Sequence, residues 1–306
     1  MSSSKVDYSV VVPVFKGSST IKDLTIRVDK VFTDINKTYQ LIFIDDASPD
    51  NSWEVLKEIK SSNKHVSAIR LKKNVGQHKV LQCGFRYAKG KGVITLDDDL
   101  QNPPEEIPKL IEEFEKGNAD VVYSVPESKE QSWARNFGSK MIEKLFKRFA
   151  STPGRGSSFK LIDRSIVDEI KYLNYQYAYV DEWISWFTTQ YAFVTTDHLA
   201  GEESRYSFGK LLRMTYRITF LYTTLPLKII TWTGALTAIV SILLAAFFLY
   251  RKYMYGSALG FTSLIISISL STGLIMASLG VIGEYIARIF STQNKRGYFD
   301  IEEVLE

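Results

Sequence analysis

The sequence predicts an α/β protein with a mostly parallel sheet, followed by two apolar helices near the C-terminus. Over the first 125 residues, short apolar segments rich in β-branched side chains alternate with segments of helical periodicity. Such alternation is typical of βαβ units. Beyond residue 228, two long segments contain no charged side chain. The total of 306 residues allows one large domain or two modest ones.

Five strands and four helices are expected in the alternating part, in the order strand, helix, strand. The expected strands are Tyr8–Phe15, Gln40–Asp46, Val66–Leu71, Gly92–Leu96 and Ala119–Val125. The expected helices are Ser19–Asn36, Ser52–Ser62, Lys79–Lys89 and Pro104–Lys116. Ligands of parallel sheets bind at the carboxyl ends of the strands, so the residues that follow each strand are the candidates for a site.

Three consecutive carboxylates, Asp97–Asp99, follow the fourth expected strand. Like charges this close raise each other's pKa or require a cation. A hard divalent ion with oxygen ligands, which also holds substrate phosphates, is a suitable partner. The alternative is a solvated acidic turn that caps a helix starting at Pro104. The position at a strand end favours the metal site.

Several function classes receive no support from the sequence. No G-x-G-x-x-G follows the first strand and no Walker A motif is present, so neither a dinucleotide site nor a P-loop is indicated. The net charge of +4 is too small to indicate nucleic acid. The single cysteine, Cys83, excludes an internal disulfide and fits a reducing compartment.

Two segments have the pattern of basic amphipathic helices, residues 132–149 and Tyr206–Tyr222. Aromatic side chains at helical spacing, with lysine and arginine on other faces, favour a position at a membrane interface. The alternative for the first segment is a helix that packs on the sheet and presents a solvated basic face.

Two transmembrane helices are expected after these segments. Ile229–Tyr250 has 22 residues without a charge, and Tyr253–Gly283 has 31. About 20 apolar residues span a bilayer, and these lengths argue against two buried core helices. Met1–Asp7 is polar and shows no signal peptide. We therefore expect a multi-pass protein of the inner (plasma) membrane with both termini on the cytoplasmic side.

Ordered motifs give the chain a resemblance to a known family. The motifs are Val11–Phe15, Ile44–Ser48, Asn74–His78, Leu96–Glu105, Ser204–Phe208 before the membrane, and Gly280–Tyr285 at the end of the second span. Together they resemble the family 2 glycosyltransferases with a GT-A fold. More narrowly they resemble the polyprenyl-phosphate glycosyltransferases, which include dolichol-phosphate mannose synthase and bacterial undecaprenyl-phosphate sugar transferases. Any one motif is weak, but all of them in this order, with two C-terminal spans, are specific.

The resemblance implies an inverting transfer of a sugar from a nucleotide-sugar, usually a UDP-sugar, to a polyprenyl phosphate such as undecaprenyl phosphate. It also implies Mg²⁺ or Mn²⁺ as cofactor and makes a homo-oligomer plausible. The implied organisation is a cytoplasmic GT-A catalytic domain over residues 1–203, juxtamembrane amphipathic helices over 204–228, two transmembrane helices over 229–290 and a cytoplasmic tail over 291–306.

The resemblance also assigns site residues. The metal ligands are Asp99 and Gln101, and the residues expected to bind the nucleotide-sugar are Pro13, Phe15, Asp46, Asp97 and Asp98. The acceptor phosphate is assigned to Arg135 and Lys140, and the catalytic group to Asp98, Asp99, Ser158 and Arg205. For Asp46 a role in an Asx turn stays open, and for Arg205 a contact with a lipid headgroup.

Two departures from the family pattern matter. Lys16 and Gly17 stand where many relatives have an Asn-Glu pair, and Ser158 stands where some relatives have an aspartate. A phosphate monoester has a second pKa near 6, so a phosphate acceptor needs no strong general base. The departures leave open a second hypothesis, a catalytically weak homologue that acts as a membrane scaffold or nucleotide-binding partner. Asp181 and Glu182 are acidic candidates for recognition of sugar hydroxyls.

Overall fold

The structure is a computed structural model that describes residues 6–126, 157–173, 179–197, 225–255, 261–293 and 299–306. The chain falls into two compact units. The first comprises Met1–Ser204 together with Arg296–Glu306, and the second comprises Arg205–Lys295.

An eight-stranded mixed sheet forms the first unit, in the order β7-β5-β6-β4-β1-β2-β3-β8. The strands are β1 (Tyr8–Val14), β2 (Tyr39–Asp45), β3 (Val66–Leu71), β4 (Gly92–Thr95), β5 (Val121–Pro126), β6 (Lys160–Asp163), β7 (Tyr191–Thr196) and β8 (Ile301–Leu305). Strand β1 pairs in parallel with β2 and β4, and β2 with β3. Strand β6 runs antiparallel between β4 and β5, and β8 is an antiparallel edge strand beside β3.

Helices cover both faces of this sheet. They are α1 (Ile21–Asp34), α2 (Ser52–Ser62), α3 (Gln77–Tyr87), a 3₁₀ turn (Pro104–Glu106), α4 (Ile107–Glu115), α5 (Arg164–Ile170) and α6 (Val180–Phe187). Alternate side chains of β1 enter different cores. Val10 and Val12 pack with α1, α2 and α4, whereas Val11 packs with α3, α5 and α6. Burial on both faces explains why β1 and β2 are nearly continuous apolar runs.

The nine elements expected in the first 125 residues are all present, with ends displaced by a few residues. Strands β6, β7 and β8 and helices α5 and α6 were not expected. The segment assigned to a C-terminal tail, residues 291–306, contains β8, which joins the sheet through Val304 opposite Ile69. Two adjacent glutamates interrupt the apolar pattern of this strand, and its partner is more than 200 residues away.

Two long helices make up the described part of the second unit, α7 (Leu225–Tyr255) and α8 (Phe261–Gln293). Helix α7 contains the whole first expected span, and α8 contains most of the second. Within the ranges given above, no helix meets the combined length and apolarity that crossing a membrane requires. The two transmembrane helices are therefore not confirmed. The expected amphipathic helices, 132–149 and Tyr206–Tyr222, lie outside the described residues.

Candidate active site

The candidate site lies where β1, β2 and β4 end side by side. Val14 of β1 is in register with Asp45 of β2, and Val11 is in register with Thr95 of β4. Phe15 and Asp46 therefore follow adjacent strands at the same edge of the sheet, and Asp97–Asp99 follow the third. This is the edge at which α/β sheets bind ligands.

The two aspartates at the end of β2 have different roles. Asp45 is fully buried, and its Oδ1 accepts a hydrogen bond from the Ser48 amide at 3.1 Å. Asp46 accepts hydrogen bonds from the amides of Val75 and Gly76, at 2.7 and 3.0 Å. Burial raises the pKa of the Asp46 carboxyl, and these two amides act in the opposite direction. Asp46 thus fixes the loop before α3, and the local turn that was left open as an alternative role for Asp46 is made by Asp45.

Asp97 is held on both carboxylate oxygens. Gln77 Nε2 donates to Oδ1 at 2.6 Å, and the Ser158 hydroxyl donates to Oδ2. Because β6 runs antiparallel to β4, with Thr95 opposite Lys160, extending that register places Ser158 beside Asp97. Burial raises the pKa of Asp97, and the hydrogen bond from Ser158 is the largest opposing effect. Ser158, which stands where some relatives have an aspartate, therefore supplies a hydrogen-bond donor to Asp97.

Asp98 turns toward the loop that follows β1. Its Oδ2 accepts a hydrogen bond from the Phe15 amide at 3.2 Å. Burial, together with the negative charges of Asp99 and Asp97, raises the pKa of this carboxyl to about 6, against the opposing effect of the hydrogen bond from Phe15. The ring of Phe15 is 46% exposed and carries the Lys16 ammonium group 5.5 Å from its centroid. Pro13 lies within β1, where it is in register with Ile44.

Asp99 and Gln101 present oxygen donors on an exposed turn. Asp99 Oδ1 accepts the Gln101 amide at 3.1 Å, which draws the two residues together. Within the described residues, no group of three or more histidine, cysteine, aspartate or glutamate side chains is arranged to hold a metal ion. Mg²⁺ is usually bound by one or two carboxylates together with substrate phosphates and water, rather than by a closed protein cage. A carboxylate and an amide oxygen on one turn fit that pattern.

A buried ion pair lies next to the carboxylates and was not anticipated. Lys160 is 3% exposed, and its ammonium group contacts Asp181 and lies 5.3 Å from the ring centroid of Tyr123. The Tyr123 hydroxyl donates to the same Asp181 oxygen at 3.2 Å. Asp181, a candidate for recognition of sugar hydroxyls, neutralises Lys160. The signal was Lys160 itself, a lysine placed between the apolar residues Phe159 and Leu161.

His78 supports this region from α3. Burial and the nearby charge of Lys160 lower the pKa of its imidazole to about 4, so the ring is neutral at pH 7. The ring packs edge-on against Tyr179 at a centroid distance of 4.4 Å. These contacts indicate a structural role. Glu182 is half-buried, and burial raises the pKa of its carboxyl.

Backbone strain is concentrated at this edge of the sheet. Within the described residues, four non-glycine residues have positive φ, and three of them follow β1, β2 and β4, namely Lys16 (62°), Ala47 (53°) and Leu100 (59°). Such conformations cost roughly 1–2 kcal/mol each and cluster at functional sites.

Three assigned residues, Arg135, Lys140 and Arg205, lie outside the described residues.

Comparisons with known proteins agree with this fold. Residues 9–171 match the family model described as Glycosyl transferase family 2, which is just over half of the chain. The crystal structure of glucosyl-3-phosphoglycerate synthase from Mycobacterium tuberculosis aligns over 70% of this chain and 78% of that chain, with 19% identity and a TM-score of 0.50. Its complex with Mn²⁺, UDP and glucosyl-3-phosphoglycerate gives 16% identity and the same coverage and TM-score.

A third solved structure, residues 1–349 of S. aureus TarS, has 15% identity and a TM-score of 0.43. The alignment covers 63% of this chain, which spans about three fifths (59%) of the TarS chain. At these identities the mycobacterial synthase shows a shared fold and no more. The family match runs from β1 to the end of α5 and includes Phe15, Asp46, Asp97–Asp99 and Ser158, but not Asp181.

Proposed function

This chain belongs to glycosyl transferase family 2, and on that premise we propose that it transfers a sugar from a nucleotide-sugar to a polyprenyl phosphate at a membrane. The observation that carries the proposal is the convergence of Phe15, Asp46 and Asp97–Asp99 at one edge of the sheet. A polyprenyl phosphate is the acceptor that best fits both the chemistry of this site and the apolar segments that follow it.

The donor is assigned to these residues at the carboxyl ends of the strands. Phe15 offers a partly exposed ring on which the nucleotide base can pack. Both oxygens of Asp46 accept a hydrogen bond from a backbone amide, and each has a second lone pair that can accept an N–H group of the base. Asp97 and Asp98 are placed for the ribose and the sugar. Asp99 and Gln101 would hold Mg²⁺ or Mn²⁺, which when bound neutralises the negative charge on the departing nucleoside diphosphate. The UDP in the complex of the mycobacterial synthase supports a uridine donor.

The state of the carboxylates favours an acceptor that needs no general base. Asp97 is engaged by Gln77 and Ser158, and Asp98 is engaged by the Phe15 amide. A phosphate monoester is largely dianionic at neutral pH. Its oxygen attacks the anomeric carbon, the bond from that carbon to the nucleoside diphosphate breaks, and the configuration at carbon inverts. The residues assigned to the acceptor phosphate, Arg135 and Lys140, supply the positive charge that this acceptor requires, and Arg205 is assigned to the departing diphosphate.

The membrane location rests on the sequence and on the sheet topology. Ile229–Tyr250 and Tyr253–Gly283 contain no charged residue, which suits two spans. Strand β8 pairs with β3, so the chain after residue 295 returns to the sheet that it left before residue 205. If the intervening helices cross a bilayer, they must cross it an even number of times.

The proposal is tested by measuring nucleoside-diphosphate release from UDP-, GDP- and dTDP-sugars. Detergent-solubilised protein is assayed with Mn²⁺ or Mg²⁺, with and without undecaprenyl phosphate. We expect release with one donor that requires both lipid phosphate and metal. Release that is equal with and without lipid phosphate would contradict the proposed acceptor.

The matched variant is Asp99→Asn, which keeps the size of the side chain and removes its charge. Loss of one charge-stabilising contact should lower kcat by about 10²–10³-fold, with the thermal unfolding midpoint unchanged. If no donor supports lipid-dependent release by folded wild-type protein, the scaffold hypothesis is favoured instead.

A further inference from the structure

Gly17 lies against one of the three carboxylates of the site. A Cβ atom built on Gly17 would lie 2.3 Å from Asp98 Oδ2 and 3.2 Å from Asp98 Cγ. It would also lie 3.3 Å from Val14 Cγ1. Non-bonded carbon and oxygen atoms do not approach to 2.3 Å, so any side chain at position 17 requires Asp98 to move. The Asp98 carboxylate therefore occupies the space that a side chain at position 17 would take.

The same carboxylate oxygen also binds the loop. Asp98 Oδ2, the atom that a Cβ at position 17 would displace, accepts the Phe15 amide at 3.2 Å. A larger residue at position 17 would thus break this hydrogen bond and turn the carboxylate away from the loop. Because Asp98 immediately precedes Asp99, a change at Asp98 reaches the turn that carries the proposed metal ligand.

The loop itself is held by contacts with the segment that follows β2. The Lys16 amide donates to Ser48 Oγ at 3.2 Å, and the Gly17 amide donates to Ser52 Oγ at 3.0 Å. The Ser18 amide donates to Asp50 Oδ2 at 3.3 Å. Because these three successive amides are held by hydrogen bonds, a side chain at position 17 would displace the Asp98 side chain rather than the loop.

We propose that Gly17 is a positioning residue of the donor site, whose missing side chain lets Asp98 bind the loop after β1 and so fixes the turn that carries Asp99, the proposed metal ligand. The inference rests on the proposed function. It also gives the departure at this position a physical meaning. At the position where many relatives have a glutamate, this chain has a glycine with the Asp98 carboxylate against it.

The test is a double-mutant cycle of Gly17→Ala and Asp98→Ala in the full-length protein. Mn²⁺ affinity is measured in the presence of UDP by electron paramagnetic resonance of free Mn²⁺. Exchange of the Phe15 amide hydrogen is followed without ligand. Gly17→Ala should speed exchange at Phe15 and weaken Mn²⁺ binding by about tenfold, as expected for one lost charge-assisted hydrogen bond. Gly273→Ala, whose Cβ would meet no atom within 4 Å, is the matched control.

The Asp98→Ala background separates the proposed cause from a general disturbance. Without the Asp98 carboxylate there is nothing to displace, so Gly17→Ala should then change Mn²⁺ affinity by less than about twofold. If the wild type binds Mn²⁺ and Gly17→Ala binds it with the same affinity, the proposed role of Gly17 is wrong. It is also wrong if Gly17→Ala has the same effect with and without the Asp98 carboxylate. Neither result bears on the proposed function. Absence of Mn²⁺ and UDP binding in the wild type would overturn the proposed function as well.

Discussion

Lys160 is a buried cation beside a cluster of carboxylates, and one residue, Asp181, neutralises its charge. The ammonium group contacts Asp181, which is also hydrogen-bonded by Tyr123. Its positive charge opposes the burial-induced rise in the pKa of Asp97. Lys160 therefore acts on two carboxylates, one that it contacts and one that it influences through space.

Removal of either partner of this ion pair should be costly. Lys160→Met or Asp181→Asn leaves a buried charge without its counter-charge, which destabilises proteins by about 3–5 kcal/mol. The double variant Lys160→Met/Asp181→Asn removes both charges and should recover most of that loss. Denaturant unfolding of the four proteins measures the coupling. Additive single effects, with no recovery in the double variant, would show that the pair is not a unit.

The positions of the site carboxylates could be predicted from the sequence, whereas their hydrogen-bond partners could not. The positions of Asp46 and Asp97–Asp99 at strand ends were predicted because apolar runs end visibly before them. Their partners were not predicted, because Gln77, Ser158 and the Val75 amide are brought in by register and loop geometry. The ion pair of Asp181 was not predicted because its partner, Lys160, lies on strand β6 and carries no sign of burial beyond its apolar neighbours.

At the scale of elements, local pattern and long-range pairing differ in how well they are predicted. The parallel strands β1 to β4 are buried on both faces, so each stands out as an apolar run between helices of regular periodicity. Strand β7 is a partly exposed edge strand, and β8 has two glutamates at its centre. Their identity as strands depends on neighbours that are distant in sequence, which local propensity does not record.

Carboxylates attach the 3₁₀ turn and α4 to the rest of the first unit. Glu105 accepts two hydrogen bonds from Arg27, at 2.9 and 2.6 Å. Glu115 accepts from Lys37 at 2.7 Å and from the Tyr8 hydroxyl at 2.8 Å. The hydrogen bonds from Arg27 lower the pKa of Glu105, and those from Lys37 and Tyr8 lower the pKa of Glu115.

These lowered pKa values predict a loss of stability in acid. A carboxyl whose pKa is lower in the folded state stabilises fully above its unfolded pKa, 4.5 for glutamate, and loses this contribution as pH falls through the folded value. The free energy of unfolding of wild type minus that of Glu115→Gln should be constant above pH 5 and shrink toward pH 3. Because the pair is partly exposed, the difference should stay below about 1 kcal/mol.

The matched variant is Lys37→Met, which removes the partner and keeps Glu115. Its stability should differ from that of wild type mainly above pH 5, as for Glu115→Gln. A difference that grows on acidification in either variant would contradict the assignment of this ion pair.

At the scale of the whole molecule, the first unit is built from two separate parts of the chain. Strand β8 contributes more than its pairing with β3. Trp53 Nε1 donates to Glu303 at 3.0 Å, the Lys72 amide donates to the Asp300 carbonyl at 2.9 Å, and the Arg86 guanidinium lies 4.6 Å from the ring centroid of Phe299. A catalytic fragment that ends at residue 204 lacks all of these contacts.

Residues 1–204 joined to 296–306 by a flexible linker should therefore be more stable than residues 1–204 alone. We expect a thermal unfolding midpoint higher by at least about 4 °C, which corresponds to roughly 2 kcal/mol for a unit of this size. The control is the joined protein with Val304→Pro, because proline opposite Ile69 cannot donate to the ladder. This control should behave as the shorter fragment does. Equal midpoints for all three proteins would show that β8 adds no stability.

The proposed membrane arrangement predicts on which side of the membrane each exposed position of the chain lies. Because β8 pairs with β3, a cysteine at Val304 and one at the exposed Ile26 of α1 must lie on the same side of the membrane. A cysteine at Ser257, between α7 and α8, should lie on the opposite side if each helix crosses once. The buried Cys83 is first replaced by serine. In inside-out vesicles, a membrane-impermeant maleimide should label positions 26 and 304, and in right-side-out cells it should label position 257. Labelling of all three positions from one side would exclude two crossings and place α7 and α8 on the membrane surface or within a soluble assembly.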